Sequence, residues 1–270
     1  MQELELHLAK ARFARRHLSK MAGIGLAALI AKLAMPKPAR AAQDNDNDFR
    51  GDGDNDADDG RCFLKGTRVR TTTGERAVED LAVGDLLPTR FNGIQPIQWI
   101  ARYRYTRSDV SKPWVRDVLP VRVVRSALAP NVPHSDLYVS QQHAIFTDGE
   151  LVRVEYLVNG ATIALHDAND LSKLEYYNIK LQSHDIIYAE GAPCETLLDV
   201  DEGAVNFAEY LRMYGSPSET ARPCIPVLSF YCNRSKMMSH LRSALSPLVD
   251  RREKIDLVRD RLEERALTMS

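Results

Sequence analysis

From Cys62 to about Ala189 the sequence is cut every few residues by a turn signal, and this constrains the fold more than any other feature. Thr67-Arg68-Val69-Arg70-Thr71 alternates in polarity and runs into Thr73-Gly74-Glu75, and Val83-Gly84-Asp85 turns the chain into Leu86-Leu87. Asn92-Gly93 is a strong hairpin signal, followed by period-two alternation from Ile94 to Ile100. Short apolar runs follow at Val121–Val124, Leu137–Val139, Ala144–Phe146 and Leu151–Arg153, with Asp148-Gly149 between the last two. Thr162–Ala164, Tyr176–Leu181 and Ile186–Ala189 complete the series. Runs this short at this spacing cannot accommodate helices of ordinary length, so the reading is an all-β domain over residues 62–205. No fixed repeat period is visible, which argues against a propeller or solenoid.

The two ends differ from this body. Residues 1–41 carry 8 Lys/Arg against 2 Glu, and residues 42–61 carry 8 Asp against Arg50 and Arg61. The two excesses cancel, so the chain's net charge of -1 argues against a generally basic nucleic-acid binder. In the basic leader, Arg15-Arg16 precedes a mild apolar run from Met21 to Ala31, and Ala39-Arg40-Ala41 supplies a small-x-small cleavage pattern. That run falls short of the roughly 20 apolar residues of a bilayer span, so no stable membrane span is expected. Residues 1–41 resemble a twin-arginine export signal read by a receptor. The alternative is an amphipathic helix bearing Leu4, Leu8 and Ala11 in a cytoplasmic protein.

Residues 42–61 are Asp/Asn/Gly-rich and too polar to order themselves, so a disordered linker is expected. Asp52-Gly53-Asp54-Asn55-Asp56 hints at a calcium loop, but Ala57 and Phe63 stand where that loop wants Gly and Glu. Beyond residue 206, Met237, Leu241, Leu245, Leu248, Ile255, Val258 and Leu262 fall near helical spacing, with Pro247 dividing the stretch. This predicts a helical C-terminal extension over 206–270, docked on the core.

Three features carry potential chemistry: Cys62 at the junction of linker and body, Ser140-Gln141-Gln142-His143 between two strands, and His184-Asp185 at the start of another. Each alone is unremarkable. Together they resemble a family. Cys62-Phe63-Leu64-Lys65-Gly66-Thr67, followed by Gly74 through Asp85, is similar to the opening block of the Hedgehog/intein (Hint) superfamily. Ser140-x-x-His143 resembles its second block, usually Thr-x-x-His, preceded as in bacterial Hint domains by Leu137-Tyr138-Val139. Tyr176–Leu181 with His184-Asp185 through Glu190-Gly191 resembles the late block.

The resemblance implies a compact, horseshoe-like all-β fold and an N-to-S acyl shift in which Cys62 attacks the carbonyl of Arg61. The chain's own N-terminal segment would then be the substrate, with water or a small nucleophile as acyl acceptor and no cofactor. Nucleophile and electrophile share a backbone, so proximity is built in. His143 is the expected general acid for the leaving amide nitrogen, and a candidate base before that. Ser140 is expected to hold the scissile amide and oppose its resonance. His184 and Asp185 complete the candidate catalytic set; His184 either assists the late step or orders the strand edge.

Hedgehog-type domains use an aspartate upstream of the second block, and Asp109, Asp117 and Asp136 all lie in that stretch. Splicing would need His-Asn followed by Cys, Ser or Thr, which is absent, so cleavage at Arg61–Cys62 without splicing is expected. The alternative is a non-catalytic, exported Hint-fold module. A trans-acting cysteine hydrolase would use the same Cys62 and His143. Metal binding by Cys224, Cys232 and His240 is weakly supported, since no CxxC pair exists.

Overall fold

Two-residue turns set the register of the hairpins nearest the site. Asp148-Gly149 joins Ala144–Thr147 to Glu150–Arg153, and Glu190-Gly191 joins Ile186–Ala189 to Ala192–Glu195. All four turn residues have positive φ, at 51°, 84°, 49° and 77°. That is the type I′ geometry whose twist matches paired strands. At Gly191 a side chain is doubly unwelcome, because a Cβ there would come within 2.8 Å of the His134 ring.

The computed structural model describes residues 61–107, 109, 111–217, 222–228, 233–246, 250 and 252–269. The leader and the acidic linker expected over 1–41 and 42–61 lie outside the described residues, except Arg61, which is buried. In chain order the described strands are β1 (Phe63–Leu64), β2 (Arg68–Thr71), β3 (Gly74–Ala77), β4 (Leu86–Pro88), β5 (Ile94–Thr106), β6 (Val121–Val123) and β7 (Leu137–Val139). Then come β8 (Ala144–Thr147), β9 (Glu150–Arg153), β10 (Ile163–Leu165), β11 (Lys173–Leu181), β12 (Ile186–Ala189), β13 (Ala192–Glu195) and β14 (Val227–Leu228). The described α-helices are α1 (Phe207–Tyr214), α2 (Asn233–Leu245) and α3 (Lys254–Met269).

The strands form two sheets, ordered β10-β6-β7-β1-β11-β5-β4 and β14-β9-β8-β13-β12-β2-β3. β1 is only two residues long, yet it is central in its sheet, with Phe63 opposite both Val139 of β7 and Tyr177 of β11. The residue before it, Cys62, therefore enters the molecule at a fixed point. Alternation does the rest: in β2 the pattern Arg68-Val69-Arg70-Thr71 buries Val69 and Thr71 and exposes both arginines. Phe63, Val69, Ile145, Val152, Ile179 and Ile187 meet in one core cluster.

Among the described residues, those between 56 and 231 and those from 254 onward form one compact unit. The C-terminal extension is thus partly built into the β-domain. Ile255, Val258 and Leu262 of α3 join the main core, each worth about 1.5–3 kcal/mol of apolar burial. Arg261 of α3 also reaches the β8–β9 turn, donating to Thr147 Oγ1 at 2.7 Å and pairing with Asp148 at 3.0 Å. On α1, Tyr210 packs edge-on against Trp99 at 5.0 Å. α2 belongs to a separate cluster, in which Arg242 pairs with Glu253 at 3.3 Å. The two helices expected on either side of Pro247 are present; Pro247 itself lies outside the described residues. Among the described residues no helix is long and apolar enough to cross a membrane.

Candidate functional site

Five strand ends converge near Cys62. It precedes β1, Ser140 follows β7, His143 precedes β8, His184 and Asp185 precede β12, and Glu195 ends β13. Cys62 forms no disulfide and is 2% exposed. Its amide N–H donates to Ser140 Oγ at 2.7 Å, and its carbonyl accepts the Ser140 N–H at 2.9 Å. Ser140 thus grips the Cys62 backbone at both ends. An N–H that donates favours the amide resonance form with positive nitrogen. The bond therefore orients the peptide, and the loss of resonance expected from this serine is not what its direction provides.

The Ser140–His143 segment closes as a tight turn, the His143 N–H donating to the Ser140 carbonyl at 3.1 Å. The His143 ring is fully buried and packs at 4.4 Å from the Phe63 ring. Burial lowers its pKa to about 4, partly opposed by the negative charge of Glu195 and by an acceptor in the Arg61 backbone. The only acceptor in that backbone is the carbonyl of the scissile peptide. Neither ring nitrogen completes a well-aligned hydrogen bond, so the imidazole lies against this carbonyl without being committed elsewhere.

Glu195 was not among the residues singled out from the sequence. It is fully buried. Its Oε1 accepts the Ala144 N–H at 2.7 Å, and its Oε2 meets Arg61 Nη1 at 3.3 Å and His184 Nε2 at 3.7 Å. Burial alone would push this carboxyl up, but His184, Arg61, His143 and the Ala144 N–H together hold it below its ordinary value. The signal available in the sequence was an acidic residue closing the apolar run Ala192-Pro193-Cys194-Glu195.

His184 Nδ1 accepts the Cys224 N–H at 3.1 Å. A nitrogen that accepts carries no proton, so in the neutral ring Nε2–H is the protonated position, and it faces Glu195. Asp185 stands beside His184 in sequence, but its carboxylate turns to other partners. Its carboxylate accepts the Phe91, Asn92 and Ile186 N–H groups and the Asn92 and Gln95 side-chain amides, at 2.7–3.3 Å. It pins the Asn92-Gly93 hairpin, and none of its bonds among the described residues reaches Cys62, Ser140 or His143.

On its other side Cys62 borders a cavity of about 200 Å³ lined by Tyr103, Tyr105, Asp117, Ser140, Glu155 and Tyr176, among others. The loop carrying Asp117 is tied down by Tyr176 Oη, which donates to the Val118 carbonyl at 2.7 Å, and by Gln141 Nε2, which donates to the Arg116 carbonyl at 2.7 Å. Burial pushes the Tyr176 phenol up, reinforced by the Cys62 thiol nearby. Of the three aspartates in this stretch, Asp117 alone lines the cavity. Asp109 is occupied by Ser111, and Asp136 by Arg122 and the Arg125 N–H. Of the three suggested metal ligands, Cys224 lies beside His184 and Cys232 lies outside the described residues.

The profile of the Hint domain family matches residues 61–201. Among solved structures, the chain is similar to the gp41-1 intein at 13% identity, over 49% of this chain and 97% of that one, with a TM-score of 0.34. It is also similar to a bacterial intein-like domain from Clostridium thermocellum at 13% identity, over 51% and 99%, with a TM-score of 0.37. A DnaB intein from Synechocystis sp. PCC 6803 matches at 7% identity, over 51% and 99%, with a TM-score of 0.36. No curated protein matches the chain. Likeness this distant bears on activity in no way; the family rests on the profile match, which spans more than half of the sequence. The chain belongs to the Hint domain family.

Proposed function

We propose that the domain carries out an N-to-S acyl shift at Arg61–Cys62 and releases its N-terminal segment by cleavage or acyl transfer, without splicing. The observation that carries this reading is the placement of the scissile peptide, with Cys62 gripped at both backbone polar groups by Ser140 and the Arg61 carbonyl lying against His143.

The neutral His143 takes the Cys62 thiol proton, and the sulfur attacks the Arg61 carbonyl carbon through a five-membered ring. With a pKa of about 4, the imidazolium so formed is a strong acid towards the departing nitrogen. The C–N bond breaks as that nitrogen takes the proton, leaving a thioester on Arg61 and a free amine on Cys62. Water or an amine entering the cavity beside Cys62 then attacks the thioester carbonyl and gives its proton to Asp117, which lines that cavity; the C–S bond breaks, and the Cys62 sulfur leaves and takes up a proton to restore the thiol.

Intact mass of the purified chain, with and without dithiothreitol, tests the reading. The wild type should yield a species beginning at Cys62, and Cys62→Ala should keep residues 1–61 attached. Identical behaviour of the two proteins would remove Cys62 from the mechanism and favour a non-catalytic module. The segment released, or the whole chain before release, is proposed to be exported through the Arg15-Arg16 signal. A variant with both changed to Lys keeps the charge and should lose export; undiminished export would refute that route.

A further inference from the structure

We propose that Glu195 selects arginine at the position before the nucleophile and so sets the scissile carbonyl in place. The inference rests on the acyl-shift reading and names what that site recognises. Arg61 is 8% exposed although it is the residue next to the cleaved bond, and its guanidinium meets the fully buried Glu195 at 3.3 Å. The carboxylate is fixed independently of Arg61, since the Ala144 N–H holds one oxygen at 2.7 Å and His184 faces the other at 3.7 Å. His184 is held in turn by the Cys224 N–H. This is a preformed anionic socket whose remaining contact is to the side chain before Cys62.

A neutral side chain in that socket leaves a buried carboxylate without its cation, and an acidic one sets two carboxylates together. Both are strongly disfavoured away from water. Lysine keeps the charge but not the planar fork. With the guanidinium seated, the Arg61 carbonyl is held at its distance from His143. With it unseated, the carbonyl is free to leave the imidazole. Glu195 is thus a positioning residue that acts through Arg61.

The test measures thiol-induced release of residues 1–61 in wild type, Arg61→Met, Glu195→Gln and the double variant. Gln keeps an oxygen for the Ala144 N–H and removes only the charge. Each single change should slow release by about tenfold or more, as expected for losing a hydrogen bond to a charged group. The double variant should be at least about tenfold faster than the product of the two single effects, because it restores a neutral pair. Arg61→Lys should fall between wild type and Arg61→Met. Effects that simply multiply, or an Arg61→Met variant that reacts at the wild-type rate, would overturn the proposal while leaving the acyl shift standing. A wild type that does not cleave would overturn both. Should Glu195→Gln fail to fold, as its melting curve would reveal, the series Lys, Met and Glu at position 61 decides with the core intact. A flat series overturns the socket.

Discussion

The Cys62 amide N–H donates to Ser140 Oγ at 2.7 Å, and the Ser140 N–H returns a bond to the Cys62 carbonyl at 2.9 Å. This reciprocal pair links the first residue of the β-domain to the end of β7 by backbone and side chain together. The amide that must break in an acyl shift is therefore oriented before any chemistry begins, and the two residues contribute differently from His143. Ser140→Ala loses one of the two bonds and keeps the other. It should slow release of residues 1–61 by about tenfold, the weight of one hydrogen bond of about 1 kcal/mol or slightly more. His143→Ala should slow it by about 10²–10⁴-fold, the usual contribution of a positioned acid or base. Single-turnover cleavage, followed by mass, checks both. A His143→Ala variant as fast as Ser140→Ala would mean that the histidine only packs against Phe63.

Acid should destabilise the folded domain before its carboxylates titrate. The folded-state pKa of His143 is lowered by burial to about 4 from an ordinary 6.5. Between those values the unfolded chain binds the extra proton, so stability is full above pH 6.5 and falls as pH drops towards 4. From pH 7 to pH 5 the loss from this one group should be roughly 2 kcal/mol. Glu195, also held low when folded, adds its share only further towards acid, below its unfolded value. Denaturant melts at pH 7, 6 and 5 should show the slope in the wild type and a shallower one in His143→Asn. Equal slopes would mean that the ring binds protons alike in the folded and unfolded chain, so that burial does not shift it.

How much of this was legible in the sequence depends on how local each signal is. The Asp148-Gly149 break between two short apolar runs and the alternation of β2 are written in adjacent residues, and both appear as read. That Cys62, Ser140 and His143 stand at strand ends was legible, because each borders a short apolar run. Glu195 was not, because nothing near it in sequence reveals that its partners are Arg61 and His184, contributed by other strands. Asp185 illustrates the opposite case. Its neighbour His184 faces the site, but a residue at a strand entry can turn its side chain elsewhere, and here five donors draw the carboxylate to the Asn92 hairpin and its own strand. The burial of α3 followed from its apolar spacing, whereas β14, two residues long and paired in parallel with β9, has no periodicity to read.

The cavity beside Cys62 gives the second half of the proposed reaction its own test. Asp117 is exposed and lines that cavity, while Asp109 and Asp136 are bound to other partners. Asp117→Asn should leave formation of the thioester unaffected and slow its breakdown by about 10²-fold, within the range for general-base assistance. Trapping with hydroxylamine should then restore release, since a strong nucleophile needs no base. A variant that hydroxylamine cannot rescue would place Asp117 in the acyl shift itself or in folding.

The last expectation is that the reaction ends at one cut, with the C-terminal helices still attached. Splicing requires an asparagine whose side-chain nitrogen attacks its own carbonyl. Asn206, just past the β-domain, is committed otherwise. Its Nδ2 donates to the Ile100 carbonyl at 2.9 Å and its Oδ1 accepts the Arg102 N–H at 3.0 Å, so both ends of the side chain are bonded to β5. Its main-chain carbonyl accepts the Glu209 N–H at 3.0 Å in the first turn of α1. Cyclisation would have to break all three, in a residue that is 8% exposed. Phe207, which follows, has no nucleophile to accept an acyl group, and α3 is anchored in the main core by Ile255, Val258 and Leu262. Mass spectrometry after thiol treatment should therefore find a species running from Cys62 to Ser270, and Asn206→Ala should lower the melting temperature without changing the product. A ligated product joining residues up to Arg61 to the helical extension, with the β-domain excised, would refute the single-cut mechanism.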